Sequence, residues 1–185
     1  MTSDLMTAAL RLLARGAPVS RDELAATARV NIAAVDSAPG AGDIEYDDEH
    51  RIVGWGLTLV PTPHTFIVDG HRLYTWCAAD ALLFPAIIGS RAHVESRCPA
   101  TDVAIRLTVD PRDGVSDLTP ADAVISIPGD LDVGQLRDSC CSPGHFFASA
   151  NAAADWRAQY PTGAVLPVAD AYPRLQSIRD LLFSQ

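Results

Sequence analysis

The chain has 185 residues, 48% of them hydrophobic and 20% charged, which is enough to bury a full core in one compact domain or one domain with a small appendage. Fourteen basic against twenty-three acidic residues leave a net charge of −9. That argues against nucleic acid or an anionic membrane surface as a partner, because phosphate binding is led by Lys and Arg. No basic region precedes an apolar run at the start of the chain, and the most apolar stretch, residues 81–89, is far too short to span a bilayer. Four cysteines without a secretion signal read as free thiols in a reducing cytoplasm.

Leu5, Ala9, Leu12 and Leu13 recur at helical spacing, and Gly16 ends that helix. Ser20 and Glu23 form a capping box for a second helix, whose apolar face continues through Leu24 and Ala28. Asn31 is placed to cap a third short helix carrying Ile32 and Val35. Pro39, Gly40 and Gly42 break the pattern. Residues 44–46 and 52–59 then read as two strands around a polar turn at 47–50. Three helices followed by a hairpin is the pattern of a winged helix. With only Arg21 and Arg29 on its second and third helices, the pattern reads better as a structural or substrate-covering module than as a DNA-binding one.

Residues 65–68 and 72–76 form a hairpin across Asp69-Gly70, and residues 77–88 an apolar, buried helix broken or bent at Pro85. Strands are expected at 93–97, 103–109, 123–127 and 146–149, and one or two helical turns at 133–138. Amphipathic helices are expected at 152–160 and 175–183. The fold class is therefore α+β: a winged-helix-like N-terminal subdomain, residues 1–60, on a strand-rich catalytic core with flanking helices, residues 61–185.

Two segments concentrate the chemistry, Trp76-Cys77-Ala78-Ala79-Asp80 and Cys140-Cys141-Ser142-Pro143-Gly144-His145-Phe146-Phe147. Cys77 falls at the start of a helix, where free amides and the helix dipole favour a thiolate. Asp80 lies one turn on, on the same face. A carboxylate in so apolar a segment is costly unless it is paired or protonated, and a protonated one is a proton donor. In an extended chain Cys140 and Cys141 point to opposite sides, one to the pocket and one to the core, ahead of a tight turn at Ser142-Pro143-Gly144. Cys98 reads as structural. His93 and His145 lack the spacing of a zinc site, and there is no phosphate-binding glycine loop and no nucleophile elbow.

The segment from Arg72 to Pro85 resembles the first catalytic motif of the alkylmercury lyase (organomercurial lyase) family, and that from Ser139 to Ser149 resembles its second. Further likeness lies at Pro18-Val19-Ser20-Arg21, residues 54–59 and Cys98-Pro99-Ala100-Thr101. The resemblance implies a catalytic set of two cysteines and one aspartate. The first cysteine carries over to Cys77 and the aspartate to Asp80. Counted back from His145-Phe146-Phe147 without a gap, the second falls on Cys141; one inserted residue would move it to Cys140.

The implied reaction is protonolysis of a carbon–mercury bond, giving a hydrocarbon and Hg(II) on Cys77 and Cys141. Thiolates suit a soft metal, and Asp80 relays the proton to carbon. Mercury is substrate and product, no cofactor is required, and external thiols release the ion to a mercuric reductase or to cellular thiols. Trp76, Leu82, Leu83, Phe84 and Phe146 would wall the organic group. Two other readings stay open on the residues alone: a noncatalytic thiol-based Hg(II) or Cu(I) binder, and a metal-responsive winged-helix regulator.

Overall fold

The computed structural model describes residues 2–129, 132, 135 and 137–183. Helix α1 (Thr2–Leu13) buries Leu5, Ala9, Leu12 and Leu13 as its spacing requires, and ends before Gly16, which takes φ +77°. In α2 (Arg21–Ala28) the Ser20 hydroxyl accepts from the Glu23 amide at 3.1 Å. The Glu23 carboxylate pairs with Arg15 at 3.1 Å instead of returning to Ser20, so the capping box is closed from one side only. The Asn31 side chain accepts from the Ala33 amide at 2.9 Å and starts the single turn of α3 (Ala33–Asp36). Val35 is buried there, but Ile32 precedes the helix and faces solvent.

Strands β1 (Glu45–Tyr46), β2 (Ile52–Trp55) and β3 (Leu57–Thr58) correct the expectation of one strand across 52–59. The chain reverses at Gly56, at φ +79°, so that Gly54 faces Thr58 across the new pair. A side chain at Gly56 would run into the Phe84 ring, so both the turn and the packing demand glycine. β4 (His64–Val68) and β5 (His71–Thr75) form the expected hairpin, with Asp69 and Gly70 both at positive φ. β6 (Ala92–Arg97), β7 (Ala104–Asp110) and β8 (Gly114–Thr119) complete a sheet ordered β1-β2-β3-β5-β4-β6-β7-β8. β8 has no sequence signal because it is an edge strand with little buried surface. A second sheet, β10-β9-β11, pairs β9 (Val124–Ile127) with β10 (Phe146–Phe147) and with β11 (Ala164–Pro167), a half-exposed strand that alternation does not reveal.

Helix α4 (Ala78–Ile88) runs through the centre of the core and continues past Pro85 to Ile88, where a break or bend was expected. It is apolar nearly all round, as a helix enclosed on every side must be. It packs against α1, against α6 (Val168–Phe183) and against β4, β5, β7 and β9. Arg11 donates to the Ile87 carbonyl at 3.1 Å, and Gln176 to that of Leu82 at 3.0 Å. Helix α5 (Ala154–Gln159) is one turn and a half, and α6 begins seven residues earlier than its periodicity suggests. Residues 133, 134 and 136 of the turns expected at 133–138 lie outside the described residues.

The N-terminal helices are not set apart from the rest. β3 pairs with β5, Val19 bridges to Ile52, and one continuous apolar cluster includes both Leu13 and Leu82. The two sheets and α4 therefore form a single frame, and the first turn of α4 is held from several sides.

Candidate active site

Cys77 is the N-cap of α4, with extended backbone (φ −144°, ψ 171°), and its sulfur accepts from the Asp80 amide at 3.4 Å. The buried Thr75 hydroxyl donates to the Cys77 carbonyl at 2.9 Å, and Trp76 is tied to Gly56 through its amide at 2.9 Å. The spacing Cys77-Ala78-Ala79-Asp80 then puts thiol and carboxyl on one face of the first turn, as the sequence requires.

Cys140 and Cys141 are not in an extended chain, and this corrects the ground on which they were expected to face opposite ways. Arg137–Cys141 is a π-helical turn, closed by the Ser142 amide on the Arg137 carbonyl at 2.7 Å. Cys141 is buried and Cys140 half-buried. The tight turn that follows is present, with the Gly144 amide on the Cys141 carbonyl at 3.0 Å. The Gly144 carbonyl accepts from Ala78, the first amide of α4, also at 3.0 Å. A Cβ at position 144 would stand 3.0 Å from both the Cys77 Cβ and the Cys140 carbonyl, so glycine lets the loop lie directly against Cys77. Further anchors hold the loop: the Pro143 carbonyl accepts from Trp156 Nε1 at 2.7 Å and from the Ser126 hydroxyl at 3.1 Å, and Ser126 Oγ accepts from the His145 amide at 2.9 Å.

The outcome is a cluster of Cys77, Asp80 and Cys141, whose ligand atoms all lie within 4.8 Å of one another. Cys141 Sγ points at Asp80 Oδ2 across 3.8 Å. Cys140, next to Cys141 in the turn, lies outside this trio.

Burial dominates the electrostatics. It pushes the Asp80 carboxyl up to about 7, against hydrogen bonds from Cys77 and Cys141 that favour the charged form. The hydrogen bond with Cys141 draws the Cys77 thiol down, but burial and the charges of Asp80 and Cys140 outweigh it and leave Cys77 at about 11. The thiolate-favouring helix terminus is thus overridden, and Cys77 is a thiol at neutral pH. Cys141 is also raised, by its hydrogen bonds with Cys140 and Cys77 and by burial. Cys140 is lowered, its bond to Cys141 outweighing burial.

A cavity of about 310 Å³ reaches Cys141 between Pro63, His64, Trp76, Arg137 and His145. Of the expected apolar wall, Trp76 lines this cavity. Leu82 and Phe146 are fully buried core residues, and Phe84 lies against Gly56. Arg137 stacks over the Trp76 ring at 4.7 Å and pairs with Glu45 at 2.7 Å, and Glu45 also accepts from Trp76 Nε1 at 3.3 Å. Glu45 was not singled out by the sequence. Its one signal was a carboxylate placed between Ile44 and Tyr46.

The remaining candidates lie apart from the trio. His93 bonds Thr108 at 3.1 Å, and His145 borders the cavity, its ring held neutral by burial. His64, which the sequence did not single out, is buried against Ser96 at 2.9 Å and driven down to about 3 by burial and by the neighbouring His145. Cys98 is buried beside its turn. Burial there is outweighed by hydrogen bonds from Thr101, Ala148 and Ala100, which lower its thiol.

Residues 57–177 match the family model of alkylmercury lyase, and residues 1–56 that of the helix-turn-helix domain of alkylmercury lyase. The alkylmercury lyase of Streptomyces lividans is 48% identical over 164 residues, which are 88% of this chain and 76% of that protein. The alkylmercury lyase of Pseudomonas putida is 44% identical over 172 residues, 91% of this chain and 79% of that one. The crystal structure of the mercury-bound form of MerB2 shares the fold, with a TM-score of 0.73 and 20% identity over 98% of this chain and all of that one. Two adjoining family models and close relatives along most of its length establish that this chain belongs to the alkylmercury lyase family.

Proposed function

We propose that this carbon–mercury lyase cleaves organomercury compounds by protonolysis, with Cys77 and Cys141 as the attacking sulfurs and Asp80 as the proton relay. One observation carries the reading: two buried soft sulfurs and one half-buried carboxyl of raised pKa meet next to a cavity. The substrate R–Hg–X enters along Trp76 and Arg137 and meets Cys141, the trio member that lines the cavity. Sulfur displaces X from mercury, and the Cys141 proton leaves with X as HX. Cys77 adds as a second ligand and passes its proton to the Asp80 carboxylate, because metal binding deprotonates a thiol outright. Two sulfur donors push electron density toward carbon. Asp80, poised near neutrality, delivers its proton there. R–H leaves, and Hg(II) stays on two thiolates with no change in oxidation state. External thiols then exchange for the protein sulfurs.

The reaction so written needs no cofactor. The same reading places the enzyme in the cytoplasm, where thiols are abundant, with cellular thiols or a mercuric reductase receiving the ion. Among the described residues no helix is long and apolar enough to cross a membrane. No nucleic-acid partner is proposed: in the helical region Arg11, Arg15 and Arg21 are engaged with Ile87, Glu23 and Asp36.

The test is incubation with phenylmercuric acetate and excess glutathione, following benzene by gas chromatography. Release by the native chain, and none by Cys77→Ser, Cys141→Ser or Asp80→Asn, is the expected result. Hg(II) retention without benzene would favour the noncatalytic binder, and turnover by Cys77→Ser would overturn the assigned roles.

A further inference from the structure

The residue just before Cys77 and the first residue of the turn carrying Cys141 meet on a third element. Glu45, on β1, sends one carboxylate oxygen to each. Its Oε1 pairs with Arg137 Nη1 at 2.7 Å, and its Oε2 accepts from Trp76 Nε1 at 3.3 Å and from the Thr58 hydroxyl. Thr58 is fully buried, and the Glu45 side chain is 13% exposed. The sheet makes room for it: a Cβ on Gly54, its partner across β2, would stand 1.9 Å from Glu45 Oε2. The neighbouring Asp43 carboxylate accepts from the Arg137 amide at 3.4 Å. A carboxylate this enclosed is costly to bury without fixed partners. Here two of its three partners lead to the site.

Those two partners frame the sulfurs. Trp76 runs straight into Cys77, its own amide held by the Gly56 carbonyl at 2.9 Å. Arg137 opens the π-helical turn that ends at Cys141. Past Cys141 the loop is tied to α4 by the Ala78 amide on the Gly144 carbonyl. Ahead of Cys141 the tie is Glu45, with the Arg137 guanidinium also stacked over the Trp76 ring at 4.7 Å. Asp43 and Glu45 belong to residues 1–56, the part matched by the helix-turn-helix model, while the trio lies in the part matched by the lyase model.

We infer that Glu45 is a positioning residue of the lyase, a clamp from the N-terminal part of the chain that holds Trp76 and Arg137 together and so fixes the approach of Cys77 to Cys141. This role rests on the reading that both sulfurs hold the metal. Two ligands must reach one ion together, so slack between them slows the step that needs both and leaves the first encounter with substrate unchanged. Trp76 and Arg137 line the cavity, whereas Glu45 stands behind them and acts through them. A role confined to shaping the cavity mouth would show in substrate binding instead.

The test is single-turnover benzene release, with the full chain in excess over phenylmercuric acetate. It compares the native chain with Glu45→Gln, Glu45→Ala, Arg137→Gln and the double variant Glu45→Ala/Arg137→Gln, whose folding is checked by circular dichroism. Glu45→Ala is expected to lower the maximal rate about tenfold, while the concentration for half-saturation stays within about twofold of native. Glu45→Gln keeps an oxygen toward Trp76 but loses the ion pair, and should fall in between. The double variant should lose no more than the worse single one, since both act through one contact. A second arm skips the lyase step: chains loaded with mercuric chloride should surrender Hg(II) to glutathione several-fold faster when Glu45 is replaced. A maximal rate or an Hg(II) retention equal to native in folded Glu45→Ala overturns the clamp. So does a change confined to half-saturation, or losses that multiply in the double variant. Glu45→Gln decides by the same criteria where Glu45→Ala does not fold. If the native chain releases no benzene, the lyase reading falls and Hg(II) retention alone judges Glu45.

Discussion

Cys77 and Asp80 stand on the first turn of a central helix, whereas Cys141 ends an irregular π-helical turn held from outside. The first half of the site is local: an N-cap position, a spacing of three, and an apolar helix that has to be buried. The second half is assembled by distant partners, with Trp156, Ser126 and Ala78 fixing the loop through its carbonyls and amides. The difference teaches where each half is vulnerable. The helix fails through the chemistry of its side chains, and the loop through its supports.

The largest effects fall on the sulfurs themselves. Cys77→Ser and Cys141→Ser should each lower benzene release on the order of a thousandfold or more, because a hydroxyl is a poor ligand for Hg(II). Equal losses from the two would show that the local and the assembled half act as one unit.

Asp80→Asn should lose turnover comparably and gain stability. The folded carboxyl titrates near 7, above its ordinary value of 3.8. A raised acid favours the folded state in its protonated form, so stability falls as pH rises from about 4 through about 7, by on the order of 4 kcal/mol in full. Urea unfolding at pH 5 and pH 8 should show this slope in the native chain and a much flatter one in the variant. Turnover should run the other way and rise with pH through about 7, because only the carboxylate accepts the thiol proton.

Supports of the loop come next. Trp156→Phe removes the donor to Pro143 and should cost about 1 kcal/mol of stability and about tenfold in turnover, since small displacements of a reacting group are expensive. Gly144→Ala presses a methyl group against Cys77 and the Cys140 carbonyl, and should widen the gap between the two halves. Its readout is weaker Hg(II) retention with Cys77 still reactive toward a thiol reagent.

The smallest effect is expected far from the site. Ser20→Ala removes the cap of α2 and should cost about 1 kcal/mol in thermal unfolding, with benzene release per folded molecule unchanged. A large loss of turnover there would mean that the N-terminal helices govern the site more directly, through Glu45, Arg137 and Trp76.

The chain alone determined what short-range physics can express. Ser20 and Asn31 mark helix starts, Asp69-Gly70 makes a hairpin, and Cys77 with Asp80 share a face because three residues make nearly one turn. Tertiary structure decided the rest, because the relevant forces act between distant residues. The reversal at Gly56 depends on β5 and Phe84, and the edge strand β8 has no buried face to leave a pattern. That Cys141 and not Cys140 clusters with Cys77 and Asp80 goes with a π-helical turn that no local periodicity announces. Burial, which only the folded chain supplies, raises Asp80 to neutrality and overrides the helix terminus at Cys77. The residues proposed to react were legible in the sequence; the burial that shifts their proton affinities was not.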